Sequence, residues 1–200
     1  MAANKKINLG KIALILNGIP DSKQDLIEND TNTVTHNMIQ PNHLGAFNNI
    51  QGVSVITRQS PVGENYFIQD NDILLKRLNP DNVTLINRAL LNTTFSSNLF
   101  IVRMQEGYYP AFIACLLEKQ GMAWLNSNIV GSITAVRSIS IKALAELEIP
   151  KINIGKQKAI GNMWLLHKKR QKLLNDLKTE DQRLMTAVMN SITSVAEEEK

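Results

Sequence analysis

The stretch Lys156-Gln-Lys-Ala-Ile160-Gly-Asn-Met-Trp-Leu165-Leu-His-Lys-Lys-Arg170-Gln-Lys-Leu-Leu-Asn175-Asp-Leu-Lys-Thr-Glu180-Asp-Gln-Arg-Leu-Met185-Thr-Ala-Val-Met-Asn190-Ser-Ile-Thr-Ser-Val195-Ala196 decides the architecture of this 200-residue chain. It holds one glycine, Gly161, and no proline, and it is rich in Lys, Leu, Gln and Ala. Apolar residues recur at Ile160, Met163, Leu166, Leu173, Leu177, Leu184, Val188, Ile192 and Val195. From first to last they span close to ten helical turns of about 3.6 residues. Two turns carry charge instead, near Arg170 and near Glu180-Asp181. The pattern predicts an amphipathic helix of about 40 residues and ~60 Å, with Thr179 as a candidate break. Such a helix exceeds what a small domain needs. Its stripe therefore calls for a partner, a second helix of its own kind or another protein, as in a coiled coil. The alternative is a hairpin folded back on the domain.

Residues 1–150 ahead of it read as a mixed α/β, or α+β, globular domain of short strands, with residues 151–200 as a separate helical arm. Lys5–Ile19 is a short strand or helical turn ending in a turn at Asn17-Gly18, and residues 20–35 are polar loop. Residues 50–60, Tyr66–Ile68, Ile73–Leu75, Val83–Ile86 and Leu99–Arg103 are strand-length apolar or β-branched runs. Turns are expected at Asp70-Asn71-Asp72 and Pro80-Asp81-Asn82. Pro110 can open a helix over Ala111–Trp124, Gly131-Ser132 is a turn, and Ser140–Leu147 is a short helix before Pro150.

Composition narrows the function. Hydrophobic residues are 44% and charged residues 20%, suited to a soluble core, and with aromatics at 5% that core must be mostly Ile, Leu and Val. The longest apolar stretch, Ala111–Leu117, is far short of the ~20 residues of a spanning helix. Residues 1–16 lack a long apolar segment and a cleavage pattern, so no signal peptide is expected. The single cysteine, Cys115, excludes a disulfide framework. An intracellular, cytoplasmic protein without a membrane partner is the expectation. Charge is uneven: residues 1–150 carry 12 basic and 12 acidic residues, so the net +4 lies in 151–200. Lys156, Lys158, Lys168, Lys169, Arg170 and Lys172 form an acid-free block, suited either to a polyanion or to a solvated face balanced by Glu197–Glu199.

Catalytic and metal patterns are missing. The Gly-Lys pairs at 10–11 and 155–156 lack the rest of a phosphate loop. His36, His43 and His167 have no metal-ligand spacing, and the first two read as solvated loop residues. Cys115 sits in an apolar run and reads as core. A metal-dependent nuclease site built from Pro80-Asp81 and Asp176-Leu-Lys178 would need residues almost a hundred positions apart. No cofactor is expected. A non-enzymatic binding protein is the reading, and amide and arginine side chains are the types that read base edges.

Several stretches, taken together and in order, resemble the specificity subunit of type I restriction-modification enzymes. Asn8-Leu-Gly-Lys-Ile-Ala13 with Asn17-Gly18 resembles the start of a target recognition domain, and Met38-Ile-Gln-Pro-Asn-His-Leu44 the strand that follows. Asn71-Asp-Ile-Leu74 stands where the family has Gly-Asp-Ile-Leu. Leu99–Arg103 followed by Tyr109-Pro-Ala-Phe-Ile-Ala-Cys-Leu-Leu117 resembles its strand, proline and helix segment. Gly131-Ser-Ile133, Ile139-Ser140, Leu144 and Leu147-Glu-Ile-Pro150 resemble its closing signature, and Gln157 with Ile160 matches the Glu-Gln-x-x-Ile opening of its conserved helix. The departures are Asn71 for Gly and Lys156 for Glu.

The resemblance implies a bacterial, non-catalytic subunit that binds double-stranded DNA and directs methyltransferase and restriction subunits to a bipartite target. The usual subunit has two recognition domains joined by two long helices. One domain and one helix imply a half-subunit, completed as a homodimer through Ile160, Met163, Leu166, Leu173, Leu177, Leu184, Val188, Ile192 and Val195. An antiparallel pair would hold two domains about two turns of B-DNA apart, at ~34 Å each, and twofold symmetry would require an interrupted inverted repeat. A heterodimer with another half-subunit would read an asymmetric site. The DNA-contacting candidates are Arg58, Lys76, Arg77, Arg88, Arg103 and Arg137, with Ser132 and Thr134. The basic block 156–172 contacts DNA or the methyltransferase subunits, and the subunits are favoured. A regulatory decoy that alters specificity by pairing with another specificity subunit, and a stand-alone nuclease, are the alternatives.

Overall fold

The computed structural model describes residues 5–20, 33–58, 61–121, 123 and 138–198. The expected turn at Gly131-Ser132, most of the loop at 20–35, and the end of the helix predicted to reach Trp124 lie outside them. At the centre is an antiparallel four-stranded sheet in the order β2-β10-β7-β8, formed by β2 (Ala13–Asn17), β7 (Ile73–Lys76), β8 (Val83–Leu85) and β10 (Leu99–Met104). Ile73-Leu-Leu75 and Leu99-Phe-Ile-Val102 are apolar at every position because both faces of this sheet are covered. Ile73, Leu75, Phe100 and Val102 face one core with Phe112, Leu144 and Trp164. Leu74, Leu99 and Ile101 face a second core with Ile39, Ile68 and Phe95. A second sheet, β6-β3-β9, pairs β3 (Val34–Ile39) antiparallel to β6 (Ser54–Arg58) and parallel to β9 (Thr93–Phe95). The hairpin of β4 (Leu44–Gly45) and β5 (Asn49–Ile50) adjoins it in sequence.

Several expectations need correction. Tyr66–Ile68 is no strand: Glu64–Tyr66 forms a 3-10 turn, and the chain leaves it extended. Asn17-Gly18 is no turn. The chain runs on, with Ile19 bridging Ser96, and a side chain at Gly18 would collide with the Phe95 and Ser96 carbonyls. The strand predicted at 50–60 divides into β5 and β6. Helix α1 (Pro110–Leu116) gives way to a π turn over Leu117–Gly121. Short helix α2 (Ile141–Glu146) does begin at Ser140, whose hydroxyl accepts the Ala143 N–H at 3.1 Å.

The domain closes where the arm begins. Strand β1 (Lys6–Asn8) pairs with β11 (Glu148–Pro150), so the start of the described chain is stitched to the residues just before helix α3 (Ile154–Glu198). Asn153 caps that helix, its Oδ1 accepting the Lys156 N–H at 2.9 Å. Gln157 sits at the junction: its Oε1 accepts the Tyr109 N–H at 2.9 Å and its Nε2 donates to the Ile152 carbonyl at 2.9 Å. One turn on, a Cβ at Gly161 would lie 2.7 Å from the Phe112 nitrogen and 2.8 Å from the Tyr109 ring. Glycine thus permits the close crossing of α1 and α3.

Further along, Trp164 Nε1 donates to Glu118 Oε2 at 2.8 Å, and the Lys168 ammonium forms an ion pair with the same carboxylate. Lys168 also donates to the Ala46 carbonyl at 3.1 Å and lies 5.9 Å from the Trp164 ring centroid. Both charged side chains are about 90% buried. The helix is unbroken at Thr179, whose hydroxyl is absorbed by the Asn175 carbonyl at 3.0 Å.

Removing one partner of a buried ion pair strands the other, at a cost of roughly 3 kcal/mol. Lys168→Ala should therefore lower unfolding stability by about that much in urea denaturation, whereas Lys169→Ala, one residue on and exposed, should change it by less than ~0.5 kcal/mol.

Candidate nucleic-acid interface and helical arm

The structure separates the basic candidates by what already holds them. Arg103 lies on β10, and its guanidinium grips Asp72 through Nε to Oδ1 at 2.7 Å and Nη2 to Oδ2 at 2.8 Å. Nη2 donates also to the Phe67 carbonyl at 3.1 Å, and the Asp72 side chain is fully buried. This pair ties β10 to the Asp70-Asn71-Asp72 turn. Lys76 pairs with Asp81 at 2.9 Å across the β7–β8 turn. Half-buried Arg58 donates to the Pro20 carbonyl at 3.0 Å. Arg77 and Arg88 are exposed and join no ion pair among the described residues. Ser132, Thr134 and Arg137 lie outside the described residues. Asp81 and Asp176, the carboxylates of the nuclease alternative, are engaged by Lys76 and Lys172, and no cluster of metal-ligating side chains occurs among the described residues.

Two titratable groups are shifted by their surroundings. His36 is not a solvated loop residue. It is buried on β3, and its ring nitrogens have no hydrogen-bond partner among the described residues. Burial, and secondarily the Arg58 charge, pushes its imidazole below the usual histidine pKa. Cys115 is half-buried against the core, and burial foremost, then Glu118, raises its thiol. His43 is bound into the chain, its Nδ1 accepting the Gln40 N–H at 3.1 Å.

Helix α3 carries two different stripes. Gln157, Gly161, Trp164 and Lys168 recur at a three-and-four spacing and are all buried against the helix's own domain. Ile160, expected in the partner-seeking stripe, packs there too, with Leu165. Met163, Leu166, Leu173, Leu177, Leu184, Val188 and Ile192 are instead 43–68% exposed, and Leu174, Met185 and Met189 widen that strip. The Val195 side chain lies outside the description. At about 100° per residue the two stripes are centred roughly 150° apart around the helix. Holding its own domain therefore leaves the second stripe open along its whole length. Sequence reading missed Trp164, Lys168 and Glu118. The 157-161-164-168 spacing was the available signal, masked by the basic residues around it.

Known proteins share this architecture. A chain from a solved type I restriction-modification system, described for its assembly and conformational transition, superposes with a TM-score of 0.61 at 14% identity, over 88% of this chain and 41% of that one. The HsdS subunit from Thermoanaerobacter tengcongensis gives 0.59 at 14% identity, over 86% of this chain and 39% of that one. The fold is that of a type I specificity subunit. The chain spans about two-fifths of the length of these structures. No protein-family model and no curated protein matches it. Among the described residues no helix is long and apolar enough to cross a membrane.

Two outcomes are expected from this geometry. Arg103→Leu strands the buried Asp72 carboxylate and should cost roughly 3 kcal/mol of stability in denaturant unfolding, while Arg88→Gln leaves stability unchanged. For His36 the folded pKa is the lower one, so as pH falls through ~6.5 the unfolded chain takes up the proton first. Stability should decline as pH is lowered from 7 to 5, and His36→Leu should flatten that slope in pH-dependent thermal melts.

Proposed function

We propose that this chain is a DNA-specificity half-subunit of a type I restriction-modification system. In this reading residues 1–150 recognise one half of an interrupted target. Residues 151–200 join that reader to a second copy and to the methyltransferase subunits, which in turn engage the restriction subunits. The chain binds and positions, and the chemistry belongs to its partners. The observation that carries the reading is the exposed apolar stripe from Met163 to Ile192, on a helix already anchored to its domain by the opposite face. The fold shared with HsdS supports it.

The stripe spans ~44 Å of helix axis at about 1.5 Å per residue. An antiparallel pair with Met163 level with the other copy's Ile192 covers the whole stripe on both helices. It places the two anchor regions, each centred between residues 162 and 163, about 45 Å apart, between one and two ~34 Å turns of B-DNA and short of the two turns expected from the helix length alone. Two readers related by a twofold axis then face an inverted repeat with a spacer.

Two measurements test the proposal. Leu177→Asp with Leu184→Asp should turn a dimer into a monomer in sedimentation equilibrium, with the helical circular dichroism of the anchored half retained. A wild-type monomer would sink the pairing. Methylation mapping of DNA from cells with and without the protein should reveal an interrupted inverted-repeat motif that depends on it. Unchanged methylation would sink the specificity role.

A further inference from the structure

A third face of the long helix remains after its own domain and the apolar stripe are accounted for. Lys158, Lys169 and Lys172 are exposed and share one flank, centred about 90° from the domain-facing stripe and on the side away from Lys156 and Lys178. Leu165, Leu166, Lys168, Lys169 and Lys172 form one wall of an open cavity of about 430 Å³, whose other wall is Phe47, Asn48, Asn49 and Asn87. A second cavity of about 340 Å³ continues from Asn48 and Asn87 to Arg88. Neither lining contains a carboxylate. Thr84, in the second, has a buried hydroxyl with no partner among the described residues. Asn48 is held in place by its own backbone at φ 57° and by its Oδ1, which accepts the Leu85 N–H at 2.6 Å. Lys172 pairs with Asp176 on its own helix at 2.6 Å, an exposed contact that a stronger anion can replace.

We infer that this trough, with Lys169 and Lys172 on one wall, Lys158 further along the same helix flank and Arg88 at its far end, is a track for the phosphate backbone of double-stranded DNA. The inference rests on the specificity reading above and gives the basic block a different role from methyltransferase docking. Three lines of chemistry support it. Cations and amide N–H groups are the donors that phosphate oxygens take. The three lysines extend over ~21 Å of helix axis, a length that suits a polymeric anion rather than a single phosphate. The apolar stripe meets the trough only at Leu166, and the three lysines are centred about 110–130° around the helix from the centre of that stripe, so a partner helix there leaves them open.

The test uses the full chain with its methyltransferase subunits and a duplex library, titrated at several salt concentrations. Lys158→Gln/Lys169→Gln/Lys172→Gln and, separately, Arg88→Gln are compared with Lys156→Gln/Lys178→Gln on the opposite flank. Removing one lysine–phosphate interaction should reduce the magnitude of the log–log salt slope by about 0.9. The triple variant is therefore expected to flatten it by about 2–3 and to weaken binding at least tenfold at low salt, uniformly across sequences. The control pair should leave the slope near wild type. Wild-type binding with an unaltered slope in the triple variant overturns the track and leaves the specificity reading intact. A changed sequence preference overturns it in favour of base contact, and intact DNA binding without methyltransferase association overturns it in favour of protein docking. A wild-type complex with no sequence preference brings down the specificity reading itself, and the track with it.

Discussion

A single buried carboxylate, Glu118, sets the direction of the long helix. It accepts from the Trp164 indole and pairs with the Lys168 ammonium, two donors on successive turns of one helix face. An all-apolar contact tolerates rotation about the helix axis or a slip by one turn. A carboxylate that must meet both donors does not, because either movement leaves a buried charge unpaired, at several kcal/mol. Gln157 adds a second fixed point nearer the helix start, and Gly161 lets the two helices approach between them. The result is an arm held rigidly over its first four turns and bare beyond them. Everything proposed for the arm depends on that hold, since a helix free to swivel could not keep two readers at a fixed separation.

The same logic explains which parts of the fold were legible in the sequence. Ile73-Leu-Leu and Leu99-Phe-Ile-Val were readable as strands because a sheet buried on both faces must be apolar at every position. Asn71, where the resemblance calls for glycine, is explained by its backbone, which lies at φ 66°. Asparagine is the residue that tolerates this left-handed conformation best after glycine, so the turn survives the exchange. The match at Gln157 also acquires a cause, since the amide bonds to both elements that the helix start must join. Strand β9 was unreadable, because three residues, Thr93-Thr-Phe95, carry too little pattern and their pairing with β3 comes from a distant segment. His36 misleads for a related reason: its neighbours in sequence are polar, and only the pairing of β3 with both β6 and β9 buries it.

The site was less legible than the fold. Charge identifies which residues can meet an anion but not which are already spent inside the molecule. Arg103 and Lys168 are the same residue types as Arg88 and Lys169, yet the first two are committed to the buried carboxylates of Asp72 and Glu118. No local feature of the sequence distinguishes them, because each acidic partner arrives through the tertiary fold. Sequence can nominate a basic set, and burial divides it.

The helix itself shows how mixed duties blur a pattern. A helix with one apolar face repeats cleanly, whereas this one interrupts its stripe at Arg170 and Glu180 and carries a tryptophan, a glycine and a glutamine off the stripe. Those irregularities are what a helix with several faces in use should display. One side is shaped by α1 and by Glu118, another is apolar and open, and the flank between them is basic until Asp176. Because about 3.6 residues make a turn, neighbouring positions serve different faces, and three superimposed patterns look like one poor one. Separating them by angle, once a single anchored face is known, turns the imperfect periodicity into a map of what each side of the helix is free to bind.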